Sequence, residues 1–247
     1  MQRPELRTQK SDFRRRGFTV MYRALVLFDI DGTLVRRAGP HHRESLVYAV
    51  RRVTGLETTT QGIPVQGMLD PDILRVMMRV AGVRAGEVRA AMPELLRAAE
   101  RYYLRVCPPL HGKHCPAVVP VLERLLRHGA QLALVTGNLT RIGWRKLERA
   151  GLRHYFAFGA FGEMARNREG LARLAIREAR RRGWIAPDTP ISLVGDAPQD
   201  ILAARANGIR AISVKTGITP PAELEAQRPD ILLGSLREFR LRMVEKI

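Results

Sequence analysis

Two aspartates close an apolar run near the start of the chain. Residues 25–34 read Leu-Val-Leu-Phe-Asp-Ile-Asp-Gly-Thr-Leu, so Asp29 and Asp31 follow four apolar residues and stand two positions apart. Residues two apart on a regular strand share a face, and carboxylates that close disfavour each other's ionisation. The pair therefore needs a proton or a cation beside it. Mg²⁺, a hard ion that prefers carboxylates, waters and phosphate oxygens, is the natural candidate.

Other acids, hydroxyls and glycines follow apolar stretches further along the chain. They occur in three short segments, Thr136-Gly137-Asn138, Gly195-Asp196 with Asp200 four residues later, and Lys215-Thr216-Gly217. In an open α/β sheet the carboxyl ends of parallel strands lie on one edge, where ligands bind. We therefore expect these groups to converge with the two aspartates on a single crevice.

The elements that must position these groups alternate between strand and helix patterns from residue 116 onward. Short apolar runs of strand length lie at residues 131–135, 155–161, 191–194, 211–214 and 230–233. Amphipathic segments lie between and after them at 118–128, 141–150, 169–182, 200–207 and 222–227, and a closing helix is expected after 233. This alternation predicts an α/β fold: a Rossmann-like, doubly wound parallel sheet with right-handed crossovers. The first strand is apolar throughout, which is typical of a central strand covered on both faces.

The region between the first strand and residue 106 carries helical patterns only, at residues 44–53, 70–80 and about 87–106. Asp70 is predicted to cap the second helix ahead of Pro71, and Pro93 is a possible break in the third. A helical insertion directly after a strand that ends in carboxylates predicts an α-helical cap over the site.

These patterns divide the chain into a tail, a core and a cap. Residues 1–20 are polar, basic and aperiodic and are predicted to form a flexible tail, and Met21 is a second candidate for the start of translation. The core comprises residues 21–35 and 116–247. The helical cap domain with its hinge linkers comprises residues 36–115.

The charge balance is strongly basic. The 247 residues include 42 Lys and Arg against 24 Asp and Glu, a formal net charge of +18, and only five of the basic residues are Lys. Arginine matches phosphate bidentately, so phosphorylated metabolites, nucleotides or nucleic acid are plausible partners. Because the arginines are scattered through amphipathic stretches and do not form one block, solvated helix faces are the preferred interpretation, and a nucleic-acid partner is not favoured.

Two cysteines are too few for a disulfide framework, no segment approaches the length of a membrane span, and no secretory signal follows the basic start. We therefore expect a cytoplasmic protein with no membrane partner. The sequence does not indicate an oligomeric state.

The motifs Asp29-Ile-Asp31-Gly32-Thr33, Thr136 in Leu-Val-Thr-Gly-Asn, a basic residue near 166–168, and Gly195-Asp196 with Asp200 occur in this order. With them the chain resembles the phosphatase branch of the haloacid dehalogenase-like hydrolase superfamily, close to phosphoglycolate phosphatases. The resemblance covers about residues 23–240. It implies a Mg²⁺-dependent phosphomonoester hydrolase that acts on a small phosphorylated metabolite through an aspartyl-phosphate.

The resemblance also implies a role for each motif. Asp29 would be the nucleophile, and Asp31 would protonate the leaving oxygen and then activate water. Asp29, the backbone carbonyl of Asp31 and Asp196 would hold Mg²⁺, with Asp200 outside this ligand set or acting through water. Thr136 and the Gly137 amide would bind phosphoryl oxygens.

The third motif departs from the family's pattern, because the family's lysine is missing from residues 161–171. We assign its role of holding the phosphoryl group and neutralising Asp29 to Arg168, with Arg166 as the alternative. Arginine brings a planar fork where lysine brings a compact ammonium, so the two are not equivalent.

The proline-rich linker contains further candidate residues, Cys107, His111, Lys113, His114 and Cys115. A zinc site is one interpretation, although a paired Cys-x-x-Cys is missing. A second is that His111, Lys113 or His114 lines the crevice between cap and core, and a third is a plain surface loop. Gly67–Asp70 lies where related phosphatases place a substrate-facing loop.

Two other functions stay open. One is a phosphosugar mutase of the same superfamily, in which a cap residue favours transfer back to sugar over transfer to water. The other is a basic protein that binds nucleic acid or another partner on a core that no longer catalyses, which the net charge favours and the four acid and hydroxyl motifs oppose.

Overall fold

The computed structural model describes residues 21–245, and the predicted tail at residues 1–20 lies outside the described residues, as do residues 246 and 247. Six parallel strands form one sheet in the order β3-β2-β1-β4-β5-β6. The strands are β1 (Ala24–Phe28), β2 (Ala130–Val135), β3 (Phe158–Ala160), β4 (Ile191–Gly195), β5 (Arg210–Val214) and β6 (Ile231–Leu233). The predicted doubly wound parallel sheet is confirmed.

The apolar strand β1 lies at the centre of the sheet, between β2 and β4. Its five residues are all buried, and alternate side chains enter two different hydrophobic clusters: Leu25 and Leu27 pack on one face, Val26 and Phe28 on the other. Burial on both faces explains why the strand shows no polar alternation. It also means that the chain beyond Phe28 emerges in the middle of the carboxyl edge.

Helices on both faces of the sheet connect the strands. In the core they are α4 (Val118–Arg127), α5 (Thr140–Ala150), α6 (Arg168–Arg181), α7 (Pro198–Ala206) and α8 (Pro221–Ala226). The predicted closing helix is wrong, because the described residues after β6, 234–245, form only two short 3₁₀ turns, Leu236–Glu238 and Leu241–Val244. Their apolar residues Leu236, Phe239 and Val244 are buried all the same and belong to the hydrophobic cluster on one face of the sheet.

The insertion after β1 is helical, as predicted. Its helices are α1 (His41–Thr54), α2 (Asp70–Val80) and α3 (Ala85–Val106), and together they are called the helical cap below. Pro93 does not break α3, which continues through it for 22 residues. Two corrections follow for α2: its N-cap is Leu69, and Asp70 is the first helical residue, so the Asp70 carboxylate serves a different purpose.

The helical cap is docked on the carboxyl edge of the sheet through the start of α2. The Asp70 N–H donates to the Gly137 carbonyl (2.9 Å), and the buried Asp70 carboxylate accepts the Leu139 N–H at 2.8 Å. A side chain at position 137 would collide with the Met68 carbonyl, so only glycine permits this approach. The domain boundaries at 35/36 and 115/116 stay a prediction.

No helix within residues 21–245 combines the length and the apolar character needed to cross a membrane.

Candidate active site

A cleft of about 610 Å³ opens between the helical cap and the carboxyl edge of the sheet. Of the residues predicted for the site, Asp29, Asp31, Gly137, Arg168 and Asp196 line it. Thr136 and Asp200 are buried just beside the cleft and do not line it. The predicted convergence of strand ends is therefore observed.

Three carboxylates meet at the floor of the cleft. Oxygens of Asp29, Asp196 and Asp200 all lie within 4.8 Å of one another, and the three side chains are buried. Burial, opposed by Arg168 and reinforced by neighbouring carboxylates, raises the pKa of Asp29 to about 7. Burial and the same crowding of acids raise the pKa of Asp196 well above its ordinary value. Such a cluster is relieved by a cation.

The donor set fits a hard divalent ion. Asp29 Oδ1 is buried and accepts no hydrogen bond from any described residue. A carboxylate oxygen that accepts no hydrogen bond and lies beside two further carboxylates is a ligand set that suits Mg²⁺. Gly32, at φ +83°, lets the backbone turn away from β1, and a side chain there would collide with the Asp196 carboxylate. The glycine of Asp31-Gly32-Thr33 therefore leaves room for the Asp196 carboxylate.

Asp196 accepts hydrogen bonds from both the core and the insertion after β1. Its Oδ1 accepts from the Thr33 hydroxyl at 3.3 Å, and its Oδ2 accepts from Gln66 Nε2 at 2.7 Å. Gln66 belongs to the loop that precedes α2, so a residue of the insertion reaches the acid cluster. The neighbouring Gly67 and Met68 also line the cleft, as predicted for this loop.

Arg168 lies between two of the acids. Its Nη1 is 3.4 Å from Asp29 Oδ1 and pairs with Asp200 Oδ1 in a close contact. Burial acts against the guanidinium, but Asp200 and Asp29 outweigh it, so the pKa of Arg168 lies above its ordinary value. Asn167 caps α6 by accepting the Gly170 N–H (3.0 Å), which makes Arg168 the first helical residue. Arg166, the alternative, is exposed.

Asp31 is separate from the acid cluster. Its Oδ2 lies 2.6 Å from Lys146 Nζ and accepts from Asn138 Nδ2 at 2.8 Å. Burial acts to raise the pKa of Asp31, but the Lys146 ammonium and the hydrogen bonds to Oδ2 outweigh it and hold that pKa below its ordinary value. The two aspartates of the opening motif therefore differ: the pKa of one is raised and that of the other is lowered.

Lys146 is one of the site residues that sequence reasoning missed, together with Gln66 and His42, which also line the cleft. It occupies the buried face of α5, four residues after Ile142 and four before Ala150. A lysine in the apolar stripe of an amphipathic helix breaks the binary pattern, and this interruption was the available signal.

The loop after β2 presents a second group of donors. The Thr136 hydroxyl accepts from Asn138 Nδ2 at 2.8 Å, and the Thr136 N–H donates to the Ala160 carbonyl at 3.1 Å. The Gly137 N–H forms no hydrogen bond with the described backbone, while its carbonyl receives Asp70 of the helical cap. An unpaired amide at the cleft suits an anionic oxygen.

The linker residues stand apart from the cleft. His114 Nε2 lies 2.7 Å from the Ala150 carbonyl, and the buried Cys115 thiol donates to the Gly32 carbonyl at 3.3 Å. Cys107 is buried and His111 and Lys113 are exposed, and none of the five lines the cleft. Among residues 21–245, the acid cluster is the group that could hold a metal ion.

Residues 24–208, most of the chain, match the family model for haloacid dehalogenase-like hydrolases. The chain belongs to this family. Its curated relatives include several proteins named as phosphatases, and the chain is a phosphatase of this family.

Three relatives illustrate the range of this hydrolase's neighbours. A phosphoglycolate phosphatase from Agrobacterium fabrum is 28% identical over 90% of this chain and 93% of its own length. A phosphoserine phosphatase from Thermus thermophilus is 32% identical over 68% of this chain and 63% of its own length. A β-phosphoglucomutase structure from Clostridium difficile shares the fold, with a TM-score of 0.66, 14% identity, and coverage of 90% of this chain and 95% of the other.

Proposed function

We propose that this hydrolase is a Mg²⁺-dependent phosphomonoesterase that uses Asp29 as its nucleophile. The observation that carries the proposal is the buried, unbonded Asp29 Oδ1 at the carboxyl end of the central strand, with Arg168 Nη1 3.4 Å away. A carboxylate that is desolvated and has no hydrogen bond to that oxygen is available to attack phosphorus. The adjacent guanidinium offsets the charge of the incoming phosphoryl group.

Asp29, Asp196 and the backbone carbonyl of Asp31 are the residues proposed to hold Mg²⁺. Bound there, the ion would neutralise the acid cluster and offset the negative charge of the phosphoryl oxygens. The Asp200 carboxylate pairs with Arg168 and accepts the Ala197 N–H at 3.1 Å. We therefore propose that Asp200 does not bind the ion directly and acts either on its ligands or through water.

In the first half-reaction an Asp29 oxygen attacks phosphorus, and the bond between phosphorus and the ester oxygen breaks. Asp31 takes up a proton when the phosphate dianion enters the cleft, because the added negative charge raises its pKa against the effect of Lys146. It gives this proton to the ester oxygen, which leaves as an alcohol. The Gly137 amide and Arg168 hold phosphoryl oxygens during the transfer, while Thr136 either contributes its hydroxyl or positions the loop through Asn138. The product is an aspartyl-phosphate on Asp29.

In the second half-reaction water attacks the aspartyl-phosphate, and the phosphorus–oxygen bond to Asp29 breaks. Asp31, now a carboxylate, accepts the proton of the attacking water. Inorganic phosphate leaves, Asp29 is restored as a carboxylate, and Asp31 is protonated again. One acid of the pair therefore forms the covalent bond, and the other exchanges protons in both steps.

The proposed substrate is a small phosphorylated metabolite with a second acidic group, similar to phosphoglycolate. The cleft volume of about 610 Å³ suits a small molecule, and three exposed arginines of the linker and α1 line its mouth, Arg36, Arg37 and Arg43. Guanidinium groups pair with carboxylates as well as with phosphates, so these three suit the end of the substrate that is not transferred.

Hydrolysis of p-nitrophenyl phosphate with and without Mg²⁺ tests the proposal, followed by a panel of phosphorylated carboxylic acids and sugars. We expect activity that requires Mg²⁺ and that Asp29→Ala abolishes. The substitution to alanine is preferred to the substitution to asparagine, because an asparagine can deamidate back to aspartate. Activity in Asp29→Ala equal to that of the unchanged protein would overturn the proposal.

The second candidate is a phosphosugar mutase, which the fold shared with β-phosphoglucomutase supports. The two functions differ in the acceptor of the Asp29 phosphoryl group, which is water in one case and a sugar hydroxyl in the other. Incubation with a sugar phosphate, followed by phosphorus NMR, separates them: release of inorganic phosphate supports the hydrolase, and an isomeric sugar phosphate supports the mutase.

The third candidate is binding of nucleic acid by the basic surface. It predicts retention on DNA that weakens steeply with salt, because each phosphate contact releases counterions. Salt-sensitive retention by a protein whose hydrolysis does not depend on Asp29 would favour binding over catalysis.

A further inference from the structure

A buried ammonium lies beside the proposed acid–base residue. The side chain of Lys146 is 1% exposed, whereas that of its partner Asp31 is 44% exposed. Removing an ammonium from water costs several kcal/mol unless it is fully paired, and an apolar residue would pack this face of α5 at no such cost. Packing alone therefore does not explain why a lysine occupies position 146.

The three N–H groups of Lys146 have three acceptors. Nζ lies 2.6 Å from Asp31 Oδ2, 2.6 Å from Asn138 Oδ1 and 3.1 Å from His42 Nδ1. An ammonium can only donate, so His42 accepts at Nδ1 and carries its proton on Nε2. That N–H donates to Asp70 Oδ2 at 2.9 Å. Donor and acceptor are thus assigned for each hydrogen bond that links Asp70, His42, Lys146 and Asp31.

The Asp31 carboxylate is held by one of its two oxygens. Oδ2 receives both Lys146 and Asn138 Nδ2, while Oδ1 accepts no hydrogen bond from a described residue. Because Lys146 is buried and Asp31 is half-exposed to the cleft, the ammonium approaches from the core side. Oδ1 is then the oxygen that is free to meet a substrate.

We propose that Lys146 is a positioning residue that, with Asn138, holds Asp31 Oδ2 and so presents Oδ1 as the proton-exchanging oxygen. This inference rests on the proposed function. Oδ1 gives its proton to the ester oxygen as the ester bond breaks, and it takes a proton from water as the aspartyl-phosphate is hydrolysed. Lys146 keeps its three protons throughout.

The arrangement also connects the acid–base residue to the helical cap. His42 belongs to α1 and Asp70 to α2, whereas Lys146 belongs to α5 of the core. One of the three acceptors of the ammonium is therefore supplied by the insertion. The geometry of Asp31 is complete only when the helical cap is docked on the sheet.

Two matched esters test the role of Lys146. Phenyl phosphate and p-nitrophenyl phosphate differ by one nitro group, but phenolate is the poorer leaving group and depends more on a general acid. Since kcat/KM reports steps up to the first irreversible one, it isolates transfer to Asp29 from the later hydrolysis. We expect Lys146→Met to lower kcat/KM for phenyl phosphate by roughly 10-fold more than for p-nitrophenyl phosphate, a fraction of the full general-acid effect.

A double-mutant cycle with Asp31→Asn provides the second measurement. Asp31→Asn is expected to change the ratio of the kcat/KM values for the two esters in the same direction. Adding Lys146→Met to Asp31→Asn is expected to change that ratio no further. Lys146→Gln retains a donor and should lie between Met and the unchanged protein, and it serves in place of Met if that variant does not fold. Lys113→Met, at an exposed lysine of the linker, is the control for loss of charge alone.

An equal loss for both esters would show that Lys146 acts only through stability or general packing. If Lys146→Met changes the ratio of the two kcat/KM values just as much when Asp31 is already asparagine, Lys146 does not act through Asp31. Either result overturns the inference. Failure of the proposed function is distinguishable, because activity would then survive Asp29→Ala whatever happens at Lys146.

Discussion

The Arg168 guanidinium is shared by two buried carboxylates, with Nη1 3.4 Å from Asp29 Oδ1 and in contact with Asp200 Oδ1. Removing one partner of a buried ion pair leaves uncompensated charge and costs about 3–5 kcal/mol. We expect Arg168→Met to lower the free energy of unfolding of the metal-free protein and to reduce kcat/KM by about 10²- to 10³-fold, as the loss of a transition-state cation does.

Arg166→Met is the matched control, since Arg166 is exposed only two residues away. It should leave stability and kcat/KM within about twofold of the unchanged protein, as most surface substitutions do. Arg168→Lys keeps the charge and should recover part of the activity. The assignment of the third motif to Arg168 is refuted if Arg166→Met is the more damaging of the two.

The acid cluster predicts a pH dependence of stability without metal. The folded protein keeps Asp29 protonated up to about pH 7, whereas unfolded chains release this proton near the ordinary value of 3.8. Between these values the folded state binds more protons, so the free energy of unfolding falls as pH rises from about 4 to about 7. Urea unfolding in EDTA across this range measures it, and Asp29→Asn should flatten the slope.

The same cluster predicts that Mg²⁺ stabilises more at high pH. Binding needs ionised carboxylates and so competes with protons on Asp29 and Asp196, whose pKa values are both raised. We expect the increase in Tm on adding Mg²⁺ to be larger at pH 8 than at pH 5.5. Asp196→Asn should remove most of the increase at both values, and an unchanged increase would mean that the ion binds elsewhere.

Gly137 is predicted to tolerate no side chain. A Cβ there meets the Met68 carbonyl, so Gly137→Ala must displace the loop before α2 or the end of β2. Overpacking of this kind costs about 1–3 kcal/mol, and we expect a lower Tm together with a loss of kcat/KM. Gly86→Ala is the control, because its Cβ faces open space within α3 and alanine favours helix. It should be neutral or slightly stabilising.

The two cysteines are predicted to be inert in the folded protein. Both are buried and free of disulfides, and burial raises the pKa of the Cys115 thiol to about 11. Thiolate is the reactive form, so native protein should react slowly with a thiol reagent such as Ellman's reagent. Both thiols should react at once in denaturant. Fast labelling of native protein would contradict the buried position of these residues.

Local patterns were sufficient for much of this architecture. The apolar run before Asp29 indicated a central strand, and regular alternation of strands and helices indicated a parallel sheet whose strand ends meet. Boundaries were less accurate: Asp70 is inside α2 and not its cap, Pro93 is accommodated within α3, and the closing helix is two 3₁₀ turns. Tertiary packing overrides local preference at such positions.

The sequence by itself determined which residues could do chemistry, because strand ends and turn glycines are encoded within a few positions of each acid. Arg168 was proposed for Asp29 from the family's third motif, and only the tertiary structure decided between it and Arg166 and paired Lys146 with Asp31. Lys146 lies 115 residues along the chain from Asp31, and this pairing has no local signature. The difference in the pKa values of the two aspartates likewise depends on burial and on charges from other elements, which appear only when the chain folds.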